Sequence, residues 1–478
     1  MNQSSSPDLP RILDTDKIFS VSGYEIQRII YKIKRVLSYL PTIETIPLLD
    51  YKSKFDKIST SVKAGQMQSI VSHMQKNELL LPPIPRSTSI NTESDDKKDD
   101  DTTLTDNFRY FIEFGCDTAT FSDLVSRTVT DQQQQEVNRS DSSKTHVRYV
   151  LIDQKLPKSA DRCCDGRIRS RHQHMNASAT DDVVQRLTCP ISQIQLYDII
   201  HHTTPDTTPT SKQACTIVAM AKNICGSGTD DVIRCVQKYR ADEIRHKSTT
   251  SNATSSDNLH IDKNMNHSTI PLVLAPCCHH NCEVQTLLDY KFTIPASAND
   301  DAALPKTGSI PMSYLQYIGF DERDIEVLTI VSQWNLIKQL DDAEDVPDDN
   351  KTAIPQKSKA EPSLFHNNLT HVDVDTIAPA VVPERTPSNE KIFPPPLPPH
   401  PMPTTIPADL EANMRRTSSS FEEEWEIYEA HELGRYSKML IDMTRLYYLR
   451  YNDICPYQKV QLIYYTTLSI ERHLLIAT

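Results

Sequence analysis

The chain has 478 residues with 38% hydrophobic content, 9 glycines, 31 prolines and a formal net charge of −13. That hydrophobic share lies below the roughly 45–50% of an ordinary globular chain, which excludes a packed core running through the whole length. One folded domain of moderate size, interrupted by long unstructured insertions, fits the composition. The acid is clumped at Glu93–Asp101 and Asp341–Asp349, while basic runs stand at Lys32–Arg35 and Arg167–His174, so the net charge does not exclude a nucleic-acid partner.

In chain order, the first eight residues show no basic start followed by an apolar stretch. Residues 1–82 form a helical N-terminal segment, because Ile26, Ile30, Ile33, Leu37 and Leu40 recur at helical spacing, as do Met67, Ile70 and Met74. An acidic linker fills 83–105. Arg109–Gly115 and His146–Asp153 read as short apolar strands, and Cys215–Ala221 as a third. A Gly/Ser turn and a helix at Asp230–Val236 follow, and Ile270–Ala275 is a fourth strand. Unalternating strands separated by helices predict a parallel sheet covered on both faces.

Residues 247–268 and 341–418 are polar or proline-rich and are expected to be disordered insertions. Pro394–Pro403 serves as a spacer or as the site of a proline-motif-binding partner. The apolar pattern resumes from Trp425 to Ala477, where the last strands of the sheet are expected. The organisation is then one folded domain in two parts, 106–340 and 419–478. Eleven irregularly spaced cysteines with no apparent signal peptide indicate reduced thiols and an intracellular protein, in the nucleus and/or cytoplasm. No apolar run approaches the roughly 20 residues of a membrane span, so no membrane partner is expected.

The stretch Pro276-Cys-Cys-His-His-Asn-Cys282 puts five potential metal ligands into seven residues. A structural zinc needs four ligands around a tetrahedron, commonly as two separated pairs. In an extended run Cys277 and His279 face one way, Cys278 and His280 the other. The nearest second pair, Cys163-Cys164, is adjacent in sequence and chelates poorly. No metal ligands are therefore assigned. As the end of a sheet strand, the cluster instead stands where an α/β protein places its ligand-binding groups.

Leu274–Cys282 resembles the "CCHHRC" strand of the eukaryotic tRNA 2′-O-methyltransferases that modify the fourth nucleotide of the acceptor stem, the tRNA:m(4)X modification enzyme family. Further blocks keep the family's order. Lys222–Asp230 with Ile233-Arg-Cys235 is similar to "KHLCG..TD…LRC". Gly319-Phe320, Asp324-Ile325 and Ser332-Gln-Trp334 resemble "GF…DF…SSW". Leu433-Gly-Arg435, Lys438, Leu440–Asp442 and Arg445 resemble "GR..K.LID..R", and Val62–Ile70 the "KQ..SIL" helix. The resemblance implies a class I methyltransferase: a Rossmann-like, seven-stranded, mostly parallel sheet that binds S-adenosylmethionine at the strands' carboxyl ends. It also implies tRNA as the partner. The family's N-terminal zinc fingers have no counterpart, since residues 1–115 contain no cysteine.

Under that resemblance, Glu113–Ala119 stands for the cofactor turn "EFGAGxG", with Glu113 and Gly115 matching and Asp117 and Ala119 replacing two glycines. Asp153, at the end of the second strand, and Gly226 complete the cofactor-binding set. Pro190 stands where the family carries an aspartate, and Asn223 where it carries a histidine. Lys222 is the candidate catalytic group, because a largely desolvated lysine can accept or polarise the proton of a ribose hydroxyl. Asp230 reads equally as a helix N-cap or a catalytic group. His279 or His280 is assigned to positioning the RNA ribose. Two functions stay open: an active tRNA ribose 2′-O-methyltransferase, or an eroded family member that only binds RNA or protein.

Overall fold

The computed structural model describes residues 21–40, 62–81, 107–137, 145–157, 163–173, 183–202, 215–251, 270–279, 281–292, 311–336, 398, 401–421, 427–452, 455–465 and 473–478. The acidic linker, residues 252–268 and 341–397 of the expected insertions, and His280 lie outside them. The chain divides into two compact units, one of residues 43–277 and 452–478, the other of residues 1–42 and 278–451. The described residues of 281–292 and 311–336 fall in the same unit as helix Gly23–Val36.

The first unit is built on a seven-stranded sheet. Its strands are β1 (Asn107–Phe114), β2 (Thr145–Asp153), β3 (Val184–Thr188), β4 (Cys215–Ile224), β5 (Leu272–Pro276), β6 (Val460–Tyr464) and β7 (His473–Ala477). They lie in the order β3-β2-β1-β4-β5-β7-β6. The first five are mutually parallel, and β7 is antiparallel to both of its neighbours. The expected mostly parallel sheet is therefore present, and its last two strands come from the C-terminal segment. Unbroken buried runs at Tyr110–Ile112, Ile217–Ala221 and Leu272–Ala275 are what a sheet covered on both faces requires. Edge strand β3 carries half-buried Gln185 and Arg186, which hid it among polar residues. Sequence order runs outward from β1 through β3 in one direction and from β4 to β5 in the other, so the carboxyl ends of β1 and β4 flank the crevice of a topological switch point.

The second unit is mostly helical in its described residues. Helix Gly23–Val36 opens with a Ser22/Glu25 capping box and buries Ile26, Ile29, Ile30, Ile33 and Val36 along one stripe. Helix Glu322–Val331 opens with an Asp321/Asp324 box, and Asp324 also accepts hydrogen bonds from Arg28 (2.7 Å) and buried Lys32 (2.5 Å).

The expected disorder through residue 418 is corrected at its C-terminal end. Tyr317 Oη donates to the Pro398 carbonyl (2.6 Å), Met402 N–H donates to the Tyr317 carbonyl (2.8 Å), and Ala408–Phe421 is helical. Gly319 permits this approach: its φ is +89°, and a Cβ there would sit 2.8 Å from the Pro403 carbonyl oxygen. Tyr24 then donates to Glu411 (2.8 Å) beneath the guanidinium of Arg415. Among the described residues no helix is long and apolar enough to cross a membrane.

Candidate functional site

Beyond Phe114, the chain leaves β1 through a tight turn and enters helix Thr120–Val137. Gly115 and Cys116 donate their N–H groups to the Ile152 carbonyl of β2 (2.8 and 3.3 Å). Three residues of this turn lie in the left-handed region: Gly115 at φ +67°, Asp117 at +40° and Ala119 at +58°. Both positions that replace an expected glycine thus keep the backbone sign that glycine adopts freely. For an alanine that conformation costs about 1–2 kcal/mol, and for an aspartate less.

Side chains from other elements hold the turn. Asp153 Oδ2 accepts the Asp117 N–H (2.7 Å), and Arg186 of β3 donates to the Asp117 carbonyl (2.9 Å). Arg186 is itself held by both oxygens of Asp165 (2.7 and 2.8 Å), and Cys164 N–H donates to the Thr118 carbonyl (2.9 Å). Strain of this kind persists only where the surroundings over-determine it.

A cleft of about 610 Å³ opens beside this turn, lined among others by Glu113, Gly115, Asp117, Lys222 and Asn223. Glu113 is buried and accepts hydrogen bonds from the backbone N–H (3.0 Å) and the hydroxyl of Ser122, tying β1 to the start of the following helix. Burial pushes its carboxyl up to about 7, against the opposing pull of the Ser122 hydrogen bonds and Arg186. On the β4 side the pairing register slips between Lys222 and Ile224, with Asn223 at φ +60° in the irregularity. Asparagine tolerates that conformation better than most residues. Its side chain accepts from Lys222 Nζ at 2.9 Å, and Lys222 is only 9% exposed.

The remaining sequence-assigned residues are placed differently. Asp153 braces the turn and is not part of the cleft lining; its Oδ1 also accepts from the Lys155 N–H (3.2 Å). Gly226, at φ +46°, opens helix Ser227–Ser251. Asp230 is fully buried in the first turn of that helix, inside it and not at its N-cap. His279 belongs to the helical unit, is 2% exposed, and lies with Nε2 2.6 Å from Asp442 Oδ1. Burial pushes its imidazole down to about 3 despite Asp442, so the contact is a hydrogen bond from a neutral ring. Asp442 also accepts from Arg445 (3.0 Å), which gives these blocks of the C-terminal segment a packing role. Cys225 is exposed.

One part of the site was missed. Buried Asp123 accepts from Arg127 (2.8 Å) and Arg171 (2.7 Å), with Arg167 at 3.3 Å. Three guanidiniums on one carboxylate leave a net positive wall, and Arg127 and Arg167 reach the cleft lining. The signal was present as i,i+4 pairs, Asp123/Arg127 on one helix and Arg167/Arg171 on another.

Residues 65–375 match the family model described as Methyltransferase TRM13. The chain belongs to this family. The match covers more than half of the sequence and includes the whole β1–β5 part of the sheet, the turn and Lys222. No curated protein and no solved structure matches the chain.

Proposed function

We propose that this TRM13-family methyltransferase transfers a methyl group from S-adenosylmethionine to a ribose 2′-hydroxyl in the acceptor stem of tRNA, on a class I, Rossmann-like scaffold. One observation carries the reading: the turn after β1 holds the left-handed backbone at positions 115, 117 and 119 although two of them are not glycine. A loop with no ligand to shape it would gain by relaxing out of that strain, whereas here three separate elements hold it.

The residues present fit the cofactor. A cleft of about 610 Å³ falls within the roughly 300–1,000 Å³ range of small-ligand sites. Among the described residues, and apart from its two chain neighbours, no heavy atom lies within 4 Å of where a Cβ on Gly115 would stand, so the backbone there is open to a ligand. When bound, S-adenosylmethionine supplies an electrophilic methyl group on a sulfonium. Glu113 fixes the end of β1, and the Gly115 backbone is open to approach. Asp153, outside the cleft lining, contributes by holding the Asp117 N–H and with it the shape of the turn.

Lys222 sits on the cleft wall with Nζ oriented by Asn223. Its role is toward the ribose O2′: as the amine it takes the hydroxyl proton, and as the ammonium it polarises the oxygen. Arg127 and Arg167 supply positive charge for RNA phosphates. Methyl transfer from labelled S-adenosylmethionine to unmodified tRNA, with nuclease mapping of the product, tests the proposal. A labelled 2′-O-methyl nucleotide in the acceptor stem is the expected result. Cofactor binding with no transfer to tRNA would refute the substrate, and absence of cofactor binding would leave the non-enzymatic binding reading in its place.

A further inference from the structure

Cys225 follows the end of β4 and Cys277 follows the end of β5, strands that pair in parallel with Ile224 opposite Pro276. The Cys277 N–H donates to the Ile224 carbonyl (3.3 Å), continuing the ladder one step past the strands. This brings the two sulfurs to 2.7 Å across the ladder, with Cys225 exposed and Cys277 8% exposed. One thiol is open to a small oxidant and its neighbour is sheltered, the usual arrangement of an attacking and a resolving cysteine.

We propose that Cys225 and Cys277 form a reversible disulfide, made by a hydroperoxide, that controls the strand end carrying Lys222. The Cys225 sulfur attacks the hydroperoxide, an S–O bond forms as the O–O bond breaks, and an alcohol or water leaves. The Cys277 sulfur then attacks the sulfenic acid, the S–S bond forms, the S–O bond breaks and water departs. Two thiols lose two electrons and two protons in all, and a cellular dithiol reverses the reaction.

Bond formation draws the sulfurs to about 2.05 Å, and the preferred Cβ–S–S–Cβ dihedral is near 90° in magnitude. The motion falls on the irregular end of β4, where Asn223 at φ +60° holds Lys222 Nζ through its side chain. Oxidation therefore displaces the lysine from its orientation, and reduction restores it. The effect on turnover rests on the function proposed above, whereas the cross-link does not.

The test treats the full-length protein with hydrogen peroxide, alkylates remaining thiols and maps the digest by mass spectrometry. A peptide pair joined through Cys225 and Cys277, absent in Cys225→Ser and in Cys277→Ser but retained in Cys278→Ser, is expected. Transfer to tRNA should fall at least tenfold on oxidation, recover with dithiothreitol, and resist peroxide in Cys277→Ser. A bond from Cys225 to Cys278, a sulfinate at Cys225 with no bond, or a stoichiometric metal ion held by the two thiols would each overturn the proposal. So would a cross-link that leaves turnover unchanged. A protein that cross-links but never methylates tRNA refutes the proposed function and the control of turnover, while establishing the disulfide.

Discussion

Glu113 offers a test that does not depend on knowing the substrate. Its folded-state carboxyl is raised from the ordinary value of 4.5 to about 7, with burial as the largest cause. A raised carboxyl binds its proton more tightly folded than unfolded. Its stabilising contribution is full below about 4.5 and is lost as pH climbs through about 7. At 1.36 kcal/mol per pH unit of difference, the loss between pH 5 and pH 8.5 is roughly 2–3 kcal/mol, an upper figure because buried sites relax. Glu113→Gln keeps an acceptor for the Ser122 N–H and hydroxyl while removing the titration. Denaturant unfolding of both proteins across this range should show the variant gaining on the parent as pH rises, by about 2 kcal/mol or more at pH 8.5 relative to pH 5. A difference between the two proteins that stays flat with pH would refute a raised carboxyl at Glu113.

Lys222→Ala should lower turnover by about a hundredfold while leaving S-adenosylmethionine affinity nearly unchanged in calorimetry; equal turnover would return the lysine to a structural role. The double change Asp117→Gly with Ala119→Gly relieves two left-handed residues and a carboxylate at the mouth of the cleft, and should tighten the cofactor roughly tenfold. Its effect on stability should be small, because relief of about 1–2 kcal/mol at Ala119 is offset by a lost buried methyl (about 0.8 kcal/mol) and by the freer unfolded chain. Gly319→Ala should destabilise the protein by roughly 1–3 kcal/mol in thermal or denaturant melts, since the new methyl meets the Pro403 carbonyl at a φ of +89°. Replacing residues 341–397 with a short Gly/Ser linker should leave folding intact, whereas extending the replacement through 418 should destabilise it by removing the Tyr317 and Tyr24 contacts.

What could be read in advance follows from the range of the forces involved. The central strands were legible because burial on both faces demands unbroken apolar runs, visible at Tyr110–Ile112 and Ile217–Ala221. Strand β3 was not, since an edge strand with Arg186 turned to Asp165 and the turn after β1 looks like any polar segment. The ordered part of the proline-rich stretch was missed because its partners are Tyr317, Gly319 and Tyr24, about 80 to nearly 400 residues away. Composition reports whether a segment can build a core of its own; it says nothing about docking on an existing one. Motif resemblance singled out the Glu113 turn and Lys222, which line one cleft. It could not show that Asp153 serves the turn, or that Cys225 and Cys277 meet across 52 positions of sequence.

Asp117 and Ala119, standing where the resembled family carries glycines, show how such a turn can be held in shape by its surroundings. A glycine reaches the left-handed region by its own freedom, so a glycine-rich turn needs little support from elsewhere. Once Asp117 and Ala119 occupy those positions, the conformation must be held from outside. Asp153 and Arg186 do this, one on the N–H and the other on the carbonyl of the same residue, with Asp165 fixing the arginine. The cost is that Asp153 is committed to the protein's own backbone, and that the turn's shape depends on an ion pair two strands away from β1. Removing Arg186 should therefore perturb cofactor binding in this chain more than it would in a relative that kept its glycines. In that relative the same arginine would have no strained turn to hold.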